Sequence, residues 1–169
     1  VKMRTALDAP TNALDAHEQK FVSNIRKHGW CSTSVFPEDK SHGFTYTTGF
    51  WVTLGCPEVI LFSLDGKKAH DILWDLFRDT KARGHIAVGK YVPDILANGG
   101  AYFFPVSTQR YPEYLGWSRW FYAGDDFPCL QLVWGDTRGV LPWQSDFEGR
   151  FENSQPDLSS EGWIKHLTQ

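Results

Sequence analysis

The sequence predicts an α+β fold, a single domain with a mainly antiparallel, mixed sheet and about three helices packed on it. Three observations lead there. Several short runs alternate apolar and polar residues or are apolar throughout, and Gly, Pro, Asn or Asp bounds them. Only one segment, around residues 69–77, carries a wide apolar stripe at helical period. The spacing between several of the strands suits hairpins, which disfavours a doubly wound parallel sheet. A length of 169 residues suits one core, and no internal repeat or second boundary interrupts it. The expected division is a lead-in over 1–14, a globular domain over 15–146 and a polar tail over 147–169.

Residues 1–12 show no period. Asp15 followed by Glu18 has the capping-box spacing, in which each side chain satisfies a backbone donor of the other residue. Phe21, Val22 and Ile25 then share one helix face, His28 follows, and Gly29 ends the helix. Residues 30–36 read as a strand, and Pro37, Glu38, Asp39 and Lys40 as a charged turn. The stretch HGFTYTTGFW, 42–51, is expected to be one strand bent at Gly49. "VILFSL", 59–64, is apolar enough to be covered on both faces.

Ala69, Ile72, Leu73, Leu76 and Phe77 form the stripe of the second helix, which Arg83 and Gly84 close. Residues 84–100 read as a short strand and loop with a turn at Asn98. Residues 101–106 form a further strand, with Pro105 at an edge or bulge because it cannot donate to a ladder. Pro112 opens a third helix that is expected to run to about Ala123. Residues 128–134 form the last strand, with Leu130, Leu132 and Trp134 on one side and Gln131 and Val133 on the other. Leu141, Pro142 and Trp143 pack back on the sheet.

A net charge of −3 and a pI near 6.1 argue against nucleic acid as partner, because Arg26-Lys27 and Lys67-Lys68 are the only basic pairs. No apolar run approaches the roughly 20 residues of a membrane span. Three separated cysteines without a CxxC pair fit a reducing cytoplasm.

The segments HGW at 28–30, YTTGFW at 46–51, CPEVILFSL at 56–64, YLGWSRWFY at 114–122 and FPCLQLVWGD with LPW over 127–143 resemble the bacterial domain of unknown function 4262 family. Members often read HPE where this chain has Cys56, Pro57 and Glu58. The resemblance covers most of the chain from Asp15 to Trp143 and implies one soluble domain, with no settled reaction.

No catalytic residue, metal or cofactor is expected. Cys31 lies near His28 in sequence, but a glycine separates helix from strand between them. The six histidines are scattered, without HxH or HExxH, and Gly99-Gly100 precedes a strand where a phosphate cradle needs a helix. Two kinds of binding site stay open. His28, Trp30, Tyr46, Thr48, Gly49 and His70 are candidates for a pocket on the sheet for a flat, flavin-like ligand, in a binding protein or an enzyme; the plainer reading makes Gly49 a bend and the threonines strand formers. Glu58 is placed to pair with either histidine. Trp117, Arg119, Trp120 and Tyr122 spread around more of their helix than one buried face needs, and such residues dominate protein interfaces. The leading expectation is a non-enzymatic cytosolic protein-binding domain, in its specific form an immunity protein that neutralises a toxin.

Overall fold

In the computed structural model, which describes residues 4–38 and 42–168, six strands share one sheet: β1 (Cys31–Val35), β2 (Phe44–Thr48), β3 (Glu58–Phe62), β4 (Val92–Leu96), β5 (Gly99–Pro105) and β6 (Cys129–Trp134). Their order is β1-β2-β3-β6-β5-β4. Only β3 and β6 pair in parallel, and the other neighbours are antiparallel. The expected α+β class and mainly antiparallel mixed sheet are therefore present. β3 and β6 lie at the centre and are buried at every position, which is why both read as apolar runs.

Helices cover both faces: α1 (Ala16–His28), α2 (Phe50–Leu54), α3 (Gly66–Arg83), α4 (Tyr111–Tyr114) and α5 (Gly116–Phe121). Leu73 and Phe77 of α3 pack with Val59, Leu61, Phe103, Leu132 and Trp30 on one face. Ile25 of α1 and Phe121 of α5 pack with Tyr46, Ile60 and Phe62 on the other. Each fully buried Leu or Phe contributes about 1.5–3 kcal/mol. The α1 boundaries follow the sequence: Asp15 accepts the Glu18 N–H at 2.9 Å, Glu18 accepts the Asp15 N–H at 2.9 Å, and Gly29 stops the helix at φ 87°.

Three expectations are revised. Residues 42–51 are not one strand; β2 ends at Thr48, Gly49 turns the chain at φ 120°, and Phe50 starts α2. The third helix breaks at Leu115 (φ −106°, ψ 43°) into α4 and α5. The segment after 147 packs back: Leu158 is fully buried, and the Gln155 carboxamide exchanges 2.9 Å hydrogen bonds with the Trp134 backbone. Trp163 stacks near Phe104. Phe104 and Val133 take their cover from Trp163, with Trp143 and Leu167 packed against the same cluster. Thr5 caps a short 3₁₀ turn in the lead-in, while the first three residues and the Asp39 and Lys40 of the expected turn lie outside the described residues.

The turn at Gly49 has a definite cause. Glu58 is fully buried at the start of β3. Its carboxylate accepts the N–H groups of Gly49 (3.1 Å), Phe50 (3.1 Å) and Trp51 (3.0 Å), the Thr47 hydroxyl (2.7 Å) and the Tyr122 phenol (2.5 Å). Thr47 in turn accepts from the Val59 N–H at 2.9 Å. The three backbone donors are the orphan N–H groups of α2, which no side chain within that helix satisfies. Burial pushes the Glu58 carboxyl up, and the phenol, the hydroxyl and the N–H donors pull against it. The charge of Glu58 and burial together drive the Tyr122 phenol far upward, so Tyr122 remains a donor.

Replacing Glu58 by Gln keeps the shape but sets an NH₂ among donors. We expect Glu58→Gln to lose about 3 kcal/mol of stability in urea titration, a loss in the range for a buried charged hydrogen-bond network. A loss under about 1 kcal/mol would show that the network is not what holds the turn.

Candidate functional site

Along β2 the backbone alternates sides. The Gly43 carbonyl accepts from the Ser63 N–H at 2.8 Å, so it faces β3. Phe44, Tyr46 and Thr48 therefore face β1, where they lie opposite Val35, Thr33 and Cys31. The N–H and C=O groups of Ser32 and Ser34 then point off the edge of the sheet, where no strand among the described residues pairs with them. β1 is a terminal strand, and its last residues Ser34 and Val35 are exposed, with Phe36 beyond them at 77%.

The two edges of the sheet differ. β4 carries Pro93, a left-handed Asp94 (φ 60°) and a register shift between Val92 and Leu96, three devices that block pairing. The β1 sequence CSTSV has neither proline nor charge, and its register with β2 is unbroken.

Grooves flank this open edge on both faces. On the α3 face, one of about 430 Å³ is lined by His28, Trp30, Cys31, Ser32, His70 and Trp74, with Asn24 at its margin. The Trp30 ring lies at 5.3 Å and 20° to His70 and at 5.6 Å and 26° to Trp74, and His28 stands edge-on to Trp74 at 6.1 Å. Ser32 Oγ and His70 Nδ1 are 2.8 Å apart, so the imidazole is held by both stacking and hydrogen bond. Further along the same face, about 470 Å³ opens between Ser34, Phe36, Pro37, His42, Leu64 and Gly66. On the opposite face, a shallower groove of about 590 Å³ runs past Thr33, Val35, Phe44, Tyr114 and Trp117.

Of the pocket candidates, His28, Trp30 and His70 come together. Tyr46 and Thr48 do not join them, because the alternation of β2 turns both to the other face. There the Tyr46 hydroxyl accepts the Trp117 N–H at 3.0 Å, and Thr48 Oγ1 lies 2.6 Å from Ser118 Oγ. Gly49 is required by space: a Cβ there would lie 2.5 Å from the Gly29 oxygen and 2.7 Å from Trp30 Cα. Glu58 meets neither histidine, since its oxygens are taken by the α2 turn.

The aromatic band divides similarly. Trp117 stacks on Phe21 at 4.6 Å, and Trp120 meets Phe21 edge-on at 6.1 Å; both dock α1 and stay half-buried. Arg119 pairs with Asp125 at 2.6 Å. Tyr122 is buried on Glu58. Only Trp117 of this set borders a groove of the open edge.

Ser32, Ser34 and Trp74 were not singled out by the sequence reading. A signal existed: a hydroxyl-rich strand without Lys or Pro marks an unguarded edge, and Trp74 sits one turn after His70. Among the described residues no cluster of three or more His, Cys, Asp or Glu is placed to hold a metal ion, and no helix is long and apolar enough to cross a membrane.

A family model described as Domain of unknown function (DUF4262) matches residues 24–148, a span that contains the residues named in all three grooves. No curated protein and no solved structure matches the chain.

Cys31 borders the first groove, yet burial, reinforced by the Glu58 charge, pushes its thiol up to about 12. Thiolate is the reactive form, and each unit of pKa is a tenfold change in its fraction. Iodoacetamide at pH 8 should therefore modify Cys31 at least about a hundredfold more slowly in the native protein than after unfolding, as peptide mass mapping would show. Comparable rates would mean that an ionised thiol is available at the groove.

Proposed function

We propose a function for this chain, which belongs to the DUF4262 family: it binds another protein by accepting an extended segment as a seventh strand alongside β1. The observation behind this reading is the asymmetry of the two edges, one blocked by Pro93 and Asp94, the other open at Ser32 and Ser34. An added strand gains affinity from main-chain hydrogen bonds and specificity from pockets that receive alternate side chains. The grooves lie where that alternation needs them. A residue opposite Ser32 projects toward the α3 face, one opposite Thr33 toward the Trp117 groove, and one opposite Ser34 back toward the α3 face.

The partner in the finer form of this proposal is a toxin, which would make the chain an immunity protein. The net charge of −3 suits a protein partner better than nucleic acid. The free thiols of Cys31, Cys56 and Cys129 fit a cytoplasmic setting. A flat ligand in the groove of His28, Trp30 and His70 is the second reading, favoured by the stacked rings there. Flavin absorbance of the purified protein would move the assignment to it.

Ser34→Pro removes one outward N–H without touching the ladder to β2, and Ser34→Ala keeps that N–H while removing the hydroxyl. Peptides selected from a displayed library on the wild-type protein should bind Ser34→Pro at least about tenfold more weakly and Ser34→Ala within about threefold, with both variants still folded by circular dichroism. Selected peptides that bind Ser34→Pro as tightly as wild type, or a library that yields none, would remove the strand-addition reading.

A further inference from the structure

We infer that the groove beside Ser32 is a pocket for one aromatic ring, supplied by the side chain that lies opposite Ser32 in the added segment; this rests on the strand addition proposed above. The lining of Asn24, His28, Trp30, Cys31, Ser32, His70 and Trp74 contains no Asp, Glu, Lys or Arg. A charged side chain would lose water there without meeting an opposite charge. Aliphatic groups would fill the volume but make no use of the rings. Trp30, His70 and Trp74 lie within 26° of a common plane direction, and His28 presents its ring edge-on, so a further ring finds both the offset-stacked and the edge-to-face arrangements that aromatic pairs prefer.

Trp30 and His70 are held in place before any ligand arrives. Ser32 holds His70 at 2.8 Å, Trp30 is 2% exposed, and the Arg78 guanidinium lies 4.6 Å from the Trp74 ring centre. Trp30 and His70 therefore lose little side-chain freedom on binding. Register supplies the other constraint. The side chain opposite Ser32 projects to the same face as Ser32, whose own hydroxyl lies at the groove wall. The outward N–H and C=O of Ser32 fix that neighbour's backbone, and hence where its ring enters.

The test uses one peptide selected on the β1 edge, with its register assigned by amide exchange protection, and varies only the residue opposite Ser32. Phe or Tyr there should bind about two- to tenfold more tightly than cyclohexylalanine, which has similar bulk and no π system. The difference should vanish in Trp74→Leu, a variant of a half-buried residue outside the β1 ladder. Equal binding of cyclohexylalanine and Phe, or a preference that survives Trp74→Leu, would overturn the inference.

A separate arm keeps the pocket distinct from the edge. Free p-cresol is titrated while the indole resonances are followed by NMR, and it should shift Trp74 whether or not any peptide binds. No shift at Trp74 overturns the pocket. A shift together with peptide binding that is indifferent to Ser34→Pro overturns the side-chain source and leaves a free aromatic ligand in its place.

Discussion

One carboxylate sets the geometry of this fold. Glu58 gathers five donors from β2, α2 and α5 in the protein interior, and by doing so it turns the chain at Gly49 away from the sheet. The turn brings Gly49 against the backbone of Gly29 and Trp30, at a distance where no side chain fits. Thr53 of α2 also donates to the Gly29 carbonyl at 2.6 Å. The end of α1 and the start of β1 are thus fixed by a carboxyl group two strands away. Trp30 is consequently delivered onto α3, beside Phe50 and Phe77, and the first groove forms at its margin. A buried charge without such partners would be strongly unfavourable; with them it orders three elements at once.

The central parallel pair has a related consequence. β3 and β6 are covered on both faces, so the chain needs helices on each side although most strand pairs are antiparallel. α3 serves one face. The other is assembled from α1, α4, α5 and the segment around Leu158, all of them short or irregular except α1. The aromatic residues of 111–122 are the material that joins these pieces, through Phe21 with Trp117 and Tyr111 with Phe127. Tyr111 also donates its hydroxyl to the Phe127 carbonyl at 2.8 Å. An aromatic-rich surface helix and an aromatic mortar between small elements have the same composition, and here it is mainly the second.

Much of this was legible from residue order. The α1 caps at Asp15 and Gly29 and the stripe of α3 appear as read, because each depends on neighbours within one helical turn. What the sequence did not disclose depends on distant partners. Gly49 looked like a bend in a strand because the three N–H groups after it are claimed by a glutamate on another strand. The break at Leu115 separates residues whose spacing is helical throughout. The candidate site split along the same line: His28 and His70 line one groove, His28 against Trp74 and His70 against Trp30, while Tyr46 and Thr48, close in sequence to the glycine, sit on the far side of the pleat. Strand alternation predicts that split once β2 is known to lie between β1 and β3, and pairing order is the piece a single sequence does not contain.

The contrast between a sealed edge at β4 and a receptive one at β1 bears on how the molecule behaves among its own kind. Main-chain donors and acceptors do not discriminate between sequences, so under the proposed strand addition a second copy would compete for the same edge as a partner. Under that proposal crowded samples would set self-pairing against recognition, with the balance resting on whether CSTSV, with its small hydroxylated side chains, fills the adjoining hollows as well as a foreign strand would. Small residues leave those hollows largely vacant, which makes homotypic pairing the weaker competitor.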